Sequence, residues 1–142
     1  MELISQLKGE HVEIMRAFEI VHDGIRDGSL GDGALINELR TLKDVLVAHL
    51  DLEDKMLYTA LASSESGEAK ELGKKFSGEM AEISKVAMAF FGKYMSENVS
   101  DLEKSAEFRK ELDGIIKAVA KRVDTEEKIL YPAYVKCCGV KE

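Results

Sequence analysis

The sequence predicts an all-α fold, an up-down-up-down antiparallel four-helix bundle. Three observations carry that expectation. Apolar residues recur at alternating steps of three and four along four long segments, the mark of helices that each bury one seam. Turn-like clusters separate the segments and are short enough to join antiparallel neighbours. The composition favours helix, with one proline, no tryptophan, and abundant Leu, Glu, Lys and Ala.

Helix 1, expected over about 2–27, carries the seam Leu7, His11, Ile14, Phe18, Val21 and Ile25, and stops at the run DGSLGDG from Asp27 to Gly33. Helix 2, about 33–63, carries Leu35, Leu39, Leu42, Leu46, His49, Glu53, Met56 and Ala60, and stops at SSESG. Helix 3, about 67–96, carries Leu72, Phe76, Glu79, Ile83, Val86 and Phe90, and stops at SENVS. Helix 4, about 101–132, carries Phe108, Leu112, Ile115, Val119, Arg122, Glu126, Ile129 and Ala133. Ser100 followed by Glu103 reads as a capping box for it. Pro132 lacks an amide hydrogen and is expected to end it, leaving a short C-terminal tail. With 142 residues, 45% of them hydrophobic, the chain fits one domain spanning 1–142.

A formal charge of −7 argues against nucleic acid or an anionic membrane as partner, since both attract basic surfaces. No apolar run approaches the ~20 residues that cross a bilayer. The opening MELISQLKGEH has neither the basic nor the apolar region of a signal peptide, so a cytoplasmic location is expected. The adjacent Cys137 and Cys138 suit a reducing compartment and read as an incidental tail pair.

Six residues interrupt the four seams: His11, His49, Glu53, Glu79, Arg122 and Glu126. Counting from the turns puts them at one level. His11 lies 19 residues before a tip near Leu30 and His49 lies 19 after it, so the two imidazoles should face each other. Glu53 and Glu79 stand about 12 and about 14 residues either side of the next tip. Burying such a layer costs several kcal/mol unless each member is paired or holds an ion. His22 falls nearly three turns beyond His11 and reads as a surface histidine. Tyr58 and Tyr131 read as packing residues, and the methionines as core filler.

The segment HLDLEDKMLYTAL from His49 aligns without gaps on RVDTEEKILYPAY from Arg122, placing Glu53 on Glu126, Tyr58 on Tyr131 and His49 on Arg122. A histidine four residues before a glutamate, followed by a run ending in Leu-Tyr or Leu-Tyr-Pro, resembles the hemerythrin-like family of HHE cation-binding domains, over almost the whole chain. The resemblance implies a metal site in which helix 1 gives one histidine, helix 2 a histidine and a glutamate, helix 3 two histidines, and helix 4 a histidine and a carboxylate. His11, His49, Glu53 and Glu126 match those positions. The remaining three fall on Glu79, Ile83 and Arg122, all serving the same iron of the pair. The implied cofactor is therefore non-haem iron, one or at most two ions, in a donor set that also suits Mn or Zn. Glu79 joins the candidate ligands by its seam position, and Arg122 is expected to pair with the carboxylates as a fixed cation.

The expected function is a cytoplasmic protein that binds or senses a small diatomic ligand, oxygen or nitric oxide, without catalysis on an organic substrate. The alternative is a metal-free bundle that keeps its polar layer for packing and acts through a protein partner or by self-association, such as a homodimer. Charge does not separate the two readings, because either one divalent ion or two imidazolium protons would neutralise the layer.

Overall fold

The computed structural model describes residues 2–27, 32–95 and 106–138. They form α1 (Glu2–Asp27), α2 (Asp32–Leu52), α3 (Thr59–Ala62), α4 (Gly67–Met95), α5 (Ala106–Thr125) and α6 (Tyr131–Cys138). A π-helical turn at Glu53–Tyr58 joins α2 to α3, and another at Glu126–Leu130 joins α5 to α6. Both turns keep helical backbone angles at their ends, so the described residues make four continuous rods: α1, 32–62, α4 and 106–138. The first rod lies along α2 and α5, and α4 lies along the same two, which closes the ring of a four-helix bundle. The capping box at Ser100 and Glu103, the tip at Leu30, the SENVS turn and the start of helix 4 at 101 lie outside the described residues.

Local chemistry explains the visible hairpin. Ser66 stands just before α4, and its hydroxyl accepts the amide hydrogen of Ala69 at 3.2 Å, capping the first turn. The helix seams are buried largely as the periodicity requires, in two clusters. One holds Ile14, Phe18, Val21, Leu39, Leu42, Phe91, Phe108, Leu112 and Val119; the other holds Ile4, Leu7, Leu57, Leu61, Phe76, Leu130 and Tyr131. His11, His49, Glu53, Arg122 and Glu126 are buried between the two.

Three stretches of seam differ from the periodic expectation. Beyond Glu53 the buried positions are Leu57 and Leu61, while Met56 faces solvent. Beyond Glu126 they are Leu130 and Tyr131, and Ile129 faces solvent. Each shift follows a π-turn, whose extra residue rotates everything downstream about its axis. In α4 the stripe runs Phe76, Met80, Ala87, Phe90, with Glu79 and Val86 exposed instead of inward. There a step of three or of four from Phe76 was open, and the apolar Met80 takes the interior because a lone carboxylate would have to shed its water.

Pro132 does not end the fourth rod, which continues to Cys138. Tyr131 donates its amide hydrogen to the Glu126 carbonyl, five residues back. That wider turn displaces the carbonyl a proline ring would otherwise strike. Cys137 and Cys138 are joined by a disulfide between neighbours. It closes only the small ring between two adjacent residues and ties no two helices together. No helix among the described residues is long and apolar enough to cross a membrane.

Candidate metal centre

His11, His49, Glu53 and Glu126 come together from three rods. One ligand atom from each of His11, His49, Glu53 and Glu126 lies within 4.8 Å of all the others. The imidazoles of His11 and His49 face each other with centroids 4.7 Å apart, as the hairpin count requires. His11 Nε2 is 3.0 Å from Glu126 Oε1, and His49 Nε2 is 3.4 Å from Glu53 Oε2.

The outer nitrogens are held by carboxylates that sequence reading did not single out. His11 Nδ1 is 2.7 Å from Glu127 Oε2, and His49 Nδ1 is 2.7 Å from Glu10 Oε1. An ionised carboxylate only accepts, so each Nδ1 carries the proton and donates it. A neutral ring in that tautomer turns its Nε2 lone pair toward the carboxylate of Glu53 or Glu126, whereas an imidazolium donates to it. The signal was adjacency. Glu10 precedes His11 and Glu127 follows Glu126, and a neighbour one helical step off the seam faces the next rod.

Arg122 fills the side of Glu126 away from His11. Its Nε donates to Glu126 Oε2 at 3.0 Å, its Nη2 donates to the Tyr58 hydroxyl at 3.0 Å and to the Phe76 carbonyl at 2.6 Å, and its guanidinium lies over the Phe76 ring. Glu79 reaches Nη1 at 3.6 Å from an exposed position and stays outside the buried cluster. Ile83 is half-buried against the first core cluster. His22 is surface-placed, 3.5 Å from Asp23 and 3.7 Å from Asp113.

Both tyrosines do more than pack. Tyr131 donates its hydroxyl to Glu53 Oε2 at 2.8 Å and also approaches His11 Nε2 at 3.1 Å. Tyr58 accepts from Arg122. Burial raises the Tyr131 phenol far above its ordinary range, and the charges of Glu53 and Glu126 add to that; burial and Glu53 likewise raise Tyr58. Their alignment in the internal echo was the available signal.

The two central carboxylates titrate in opposite directions. Burial raises Glu53, reinforced by the charge of Glu126. Burial also pushes Glu126 upward, but the hydrogen bond from His11 and the Arg122 charge outweigh it and hold Glu126 below its usual range. His49 is raised: burial opposes its charge, and the contacts with Glu53 and Glu10 overcome that.

The donor set fits a divalent metal. Two imidazole nitrogens and two carboxylates suit Fe(II), Mn(II) or Zn(II). Glu53 Oε1 is buried without a hydrogen-bond partner, an orphan that a cation would satisfy. A family model described as the hemerythrin HHE cation binding domain matches residues 2–134. Neither curated proteins nor solved structures yielded a match.

Proposed function

Because the chain belongs to the hemerythrin HHE cation-binding family, we propose that it holds one non-haem iron ion at His11, His49, Glu53 and Glu126 and binds or senses a small diatomic ligand, oxygen or nitric oxide. It acts on no organic substrate in this reading. The observation that carries it is the orientation of the imidazoles. Glu10 and Glu127 each accept a proton from an Nδ1, and both Nε2 atoms are directed at carboxylate oxygens. Lone pairs facing acceptors repel unless a cation, either a metal ion or a second ring proton, stands between them. Carboxylate partners on the outer nitrogen are the usual support of metal-bound histidine, setting its tautomer and raising its basicity.

The bound ion would supply an open coordination position for the diatomic ligand. The chain's own residues orient and neutralise: Glu10 and Glu127 aim the imidazoles, Glu53 and Glu126 offer charge, and Arg122 secures Glu126. An open surface depression of about 380 Å³, lined by His11, Met15, Arg16 and Glu127 among others, lies on the Nδ1 side of the His11 ring. Anaerobic reconstitution with Fe(II), followed by elemental analysis and absorption spectra before and after oxygen or nitric oxide, tests the proposal. Retained iron with a spectral change supports it. Failure to retain any metal overturns it.

One observation favours the metal-free alternative. His11 has a carboxylate at each ring nitrogen, as does His49, so two imidazolium ions would be fully hydrogen-bonded. A bundle of that kind would act through a protein partner or a second copy. Stoichiometric metal in protein purified without added ions would exclude it.

A further inference from the structure

We propose that Tyr131 is a fifth ligand of the metal centre, binding through its phenolic oxygen; this rests on the occupied site proposed above. Nothing in the four-residue ligand set includes it. Its oxygen is 2.8 Å from Glu53 Oε2, 3.1 Å from His11 Nε2 and 3.3 Å from Glu126 Oε1. Around one ion with donor bonds of about 2.1 Å, neighbouring donors stand about 3.0 Å apart at right angles and about 3.4 Å apart in a tetrahedron. All three distances fall at or near that spacing.

The phenol's single proton accounts for only one of these three contacts at a time. The phenol has one proton and gives it to Glu53. Its remaining contacts are with a carboxylate oxygen and with an imidazole nitrogen that, in a neutral ring protonated toward Glu127, has only a lone pair to offer. Three electron-rich atoms crowd one hydroxyl, and a cation among them turns every contact favourable.

The backbone delivers the side chain to this place. Five residues along an α-helix rotate Tyr131 about 140° away from Glu126, whereas one π-turn brings it back to nearly the same face. The bond from the Tyr131 amide to the Glu126 carbonyl closes just that turn. Stacking on the His11 ring, centroids 5.6 Å apart and 14° from parallel, then sets the phenol's direction. Tyr58, its counterpart in the internal echo, turns to Arg122 instead. Coordination would replace the O–H bond by an oxygen–metal bond, with the proton released to the buffer.

The test uses the full chain loaded anaerobically with Fe(II), assayed for iron, and oxidised with ferricyanide. A phenolate-to-Fe(III) charge-transfer band, with phenolate vibrations in resonance Raman spectra, is expected in the native chain and in Tyr58→Phe. Tyr131→Phe should lose both while keeping its helical content and retaining iron on the other four ligands. Iron bound without the band in the native chain overturns the proposal and spares the metal site, as does a band that survives in Tyr131→Phe. Iron retained by no variant removes the metal reading itself, and this proposal with it. Should Tyr131→Phe fail to fold, Tyr58→Phe, Tyr94→Phe and Tyr134→Phe decide, because the band must persist in all three.

Discussion

Glu10 gives the sharpest probe of the metal reading, because it touches a proposed ligand without being one. Its carboxylate lies 2.7 Å from His49 Nδ1, and its side chain is only 20% exposed, so solvent screens the pair weakly. Removing such an outer partner typically lowers metal affinity about 10- to 100-fold, which is about 1.4–2.7 kcal/mol. Glu10→Gln keeps an acceptor oxygen and loses only the charge, so its loss should fall near the tenfold end. Glu10→Ala removes orientation as well and should approach the hundredfold end. Glu13→Ala, on the exposed side of the same helix, should bind like the native chain. Competition with a chelator under anaerobic conditions, using Fe(II), measures all three. If Glu10→Ala binds within twofold of the native chain while remaining helical, the carboxylate does not aim His49 at a metal, and the orientation argument fails.

Arg122→Met should destabilise the metal-free protein by about 3 kcal/mol in urea titrations, since it strips a buried partner from Glu126; a loss below about 1 kcal/mol would show that the guanidinium does not neutralise that carboxylate. Gly73→Ala should destabilise, because the new methyl would stand 2.9 Å from Leu61 Cβ, and overpacking of about 1–3 kcal/mol exceeds the ~1 kcal/mol that alanine adds to a helix. Gly78→Ala meets nothing within 4 Å and should stabilise by up to ~1 kcal/mol; thermal melts showing both variants equal would refute the contact. For pH, His49 is raised above its usual 6.5 in the folded chain. Its contribution to the metal-free protein is therefore complete below 6.5 and lost as pH rises through the folded value, whereas a metal competes with that proton and is retained better as pH rises. Chelated protein that gains stability from pH 6 to 8 would contradict this.

The bundle was legible because helix period and seam are properties of spacing, and Leu7, Phe18, Leu39, Phe108 and Leu112 need nothing else to find the core. The polar layer was legible for a related reason: His11, His49, Glu53 and Glu126 interrupt seams that are otherwise apolar. Spacing failed where the helix changed its pitch. The π-turns at Glu53 and Glu126 put Leu57 and Leu130 where Met56 and Ile129 were expected, and only the internal echo hinted that both rods would deviate at the same place. Glu79 failed for an energetic reason. A stripe assigns a face but not the free energy of occupying it, and Met80 fills that interior at no desolvation cost. Glu10 and Glu127 lay outside every seam, so their role depends on which rods are neighbours, a fact of assembly.

The position of Arg122 bears on how many ions the layer can take. Glu126 presents Oε1 to His11 and Oε2 to the Arg122 guanidinium. A carboxylate shared between two ions would use its oxygens in that way, so the guanidinium stands on the face that a second ion would need. It cannot step aside cheaply, since Glu126, Tyr58, the Phe76 carbonyl and the Phe76 ring all hold it. Nor can it lose its charge. A divalent ion about 4 Å from it would face a repulsion of about 8 kcal/mol at an effective dielectric constant near 20, more than a lone exposed Glu79 would return. On the proposed reading the iron count is therefore one. Arg122→His should leave it near one, because Glu79 lies outside the buried cluster and Ile83 offers no donor; elemental analysis giving two ions per chain for that variant would show that the guanidinium alone had kept the second ion out.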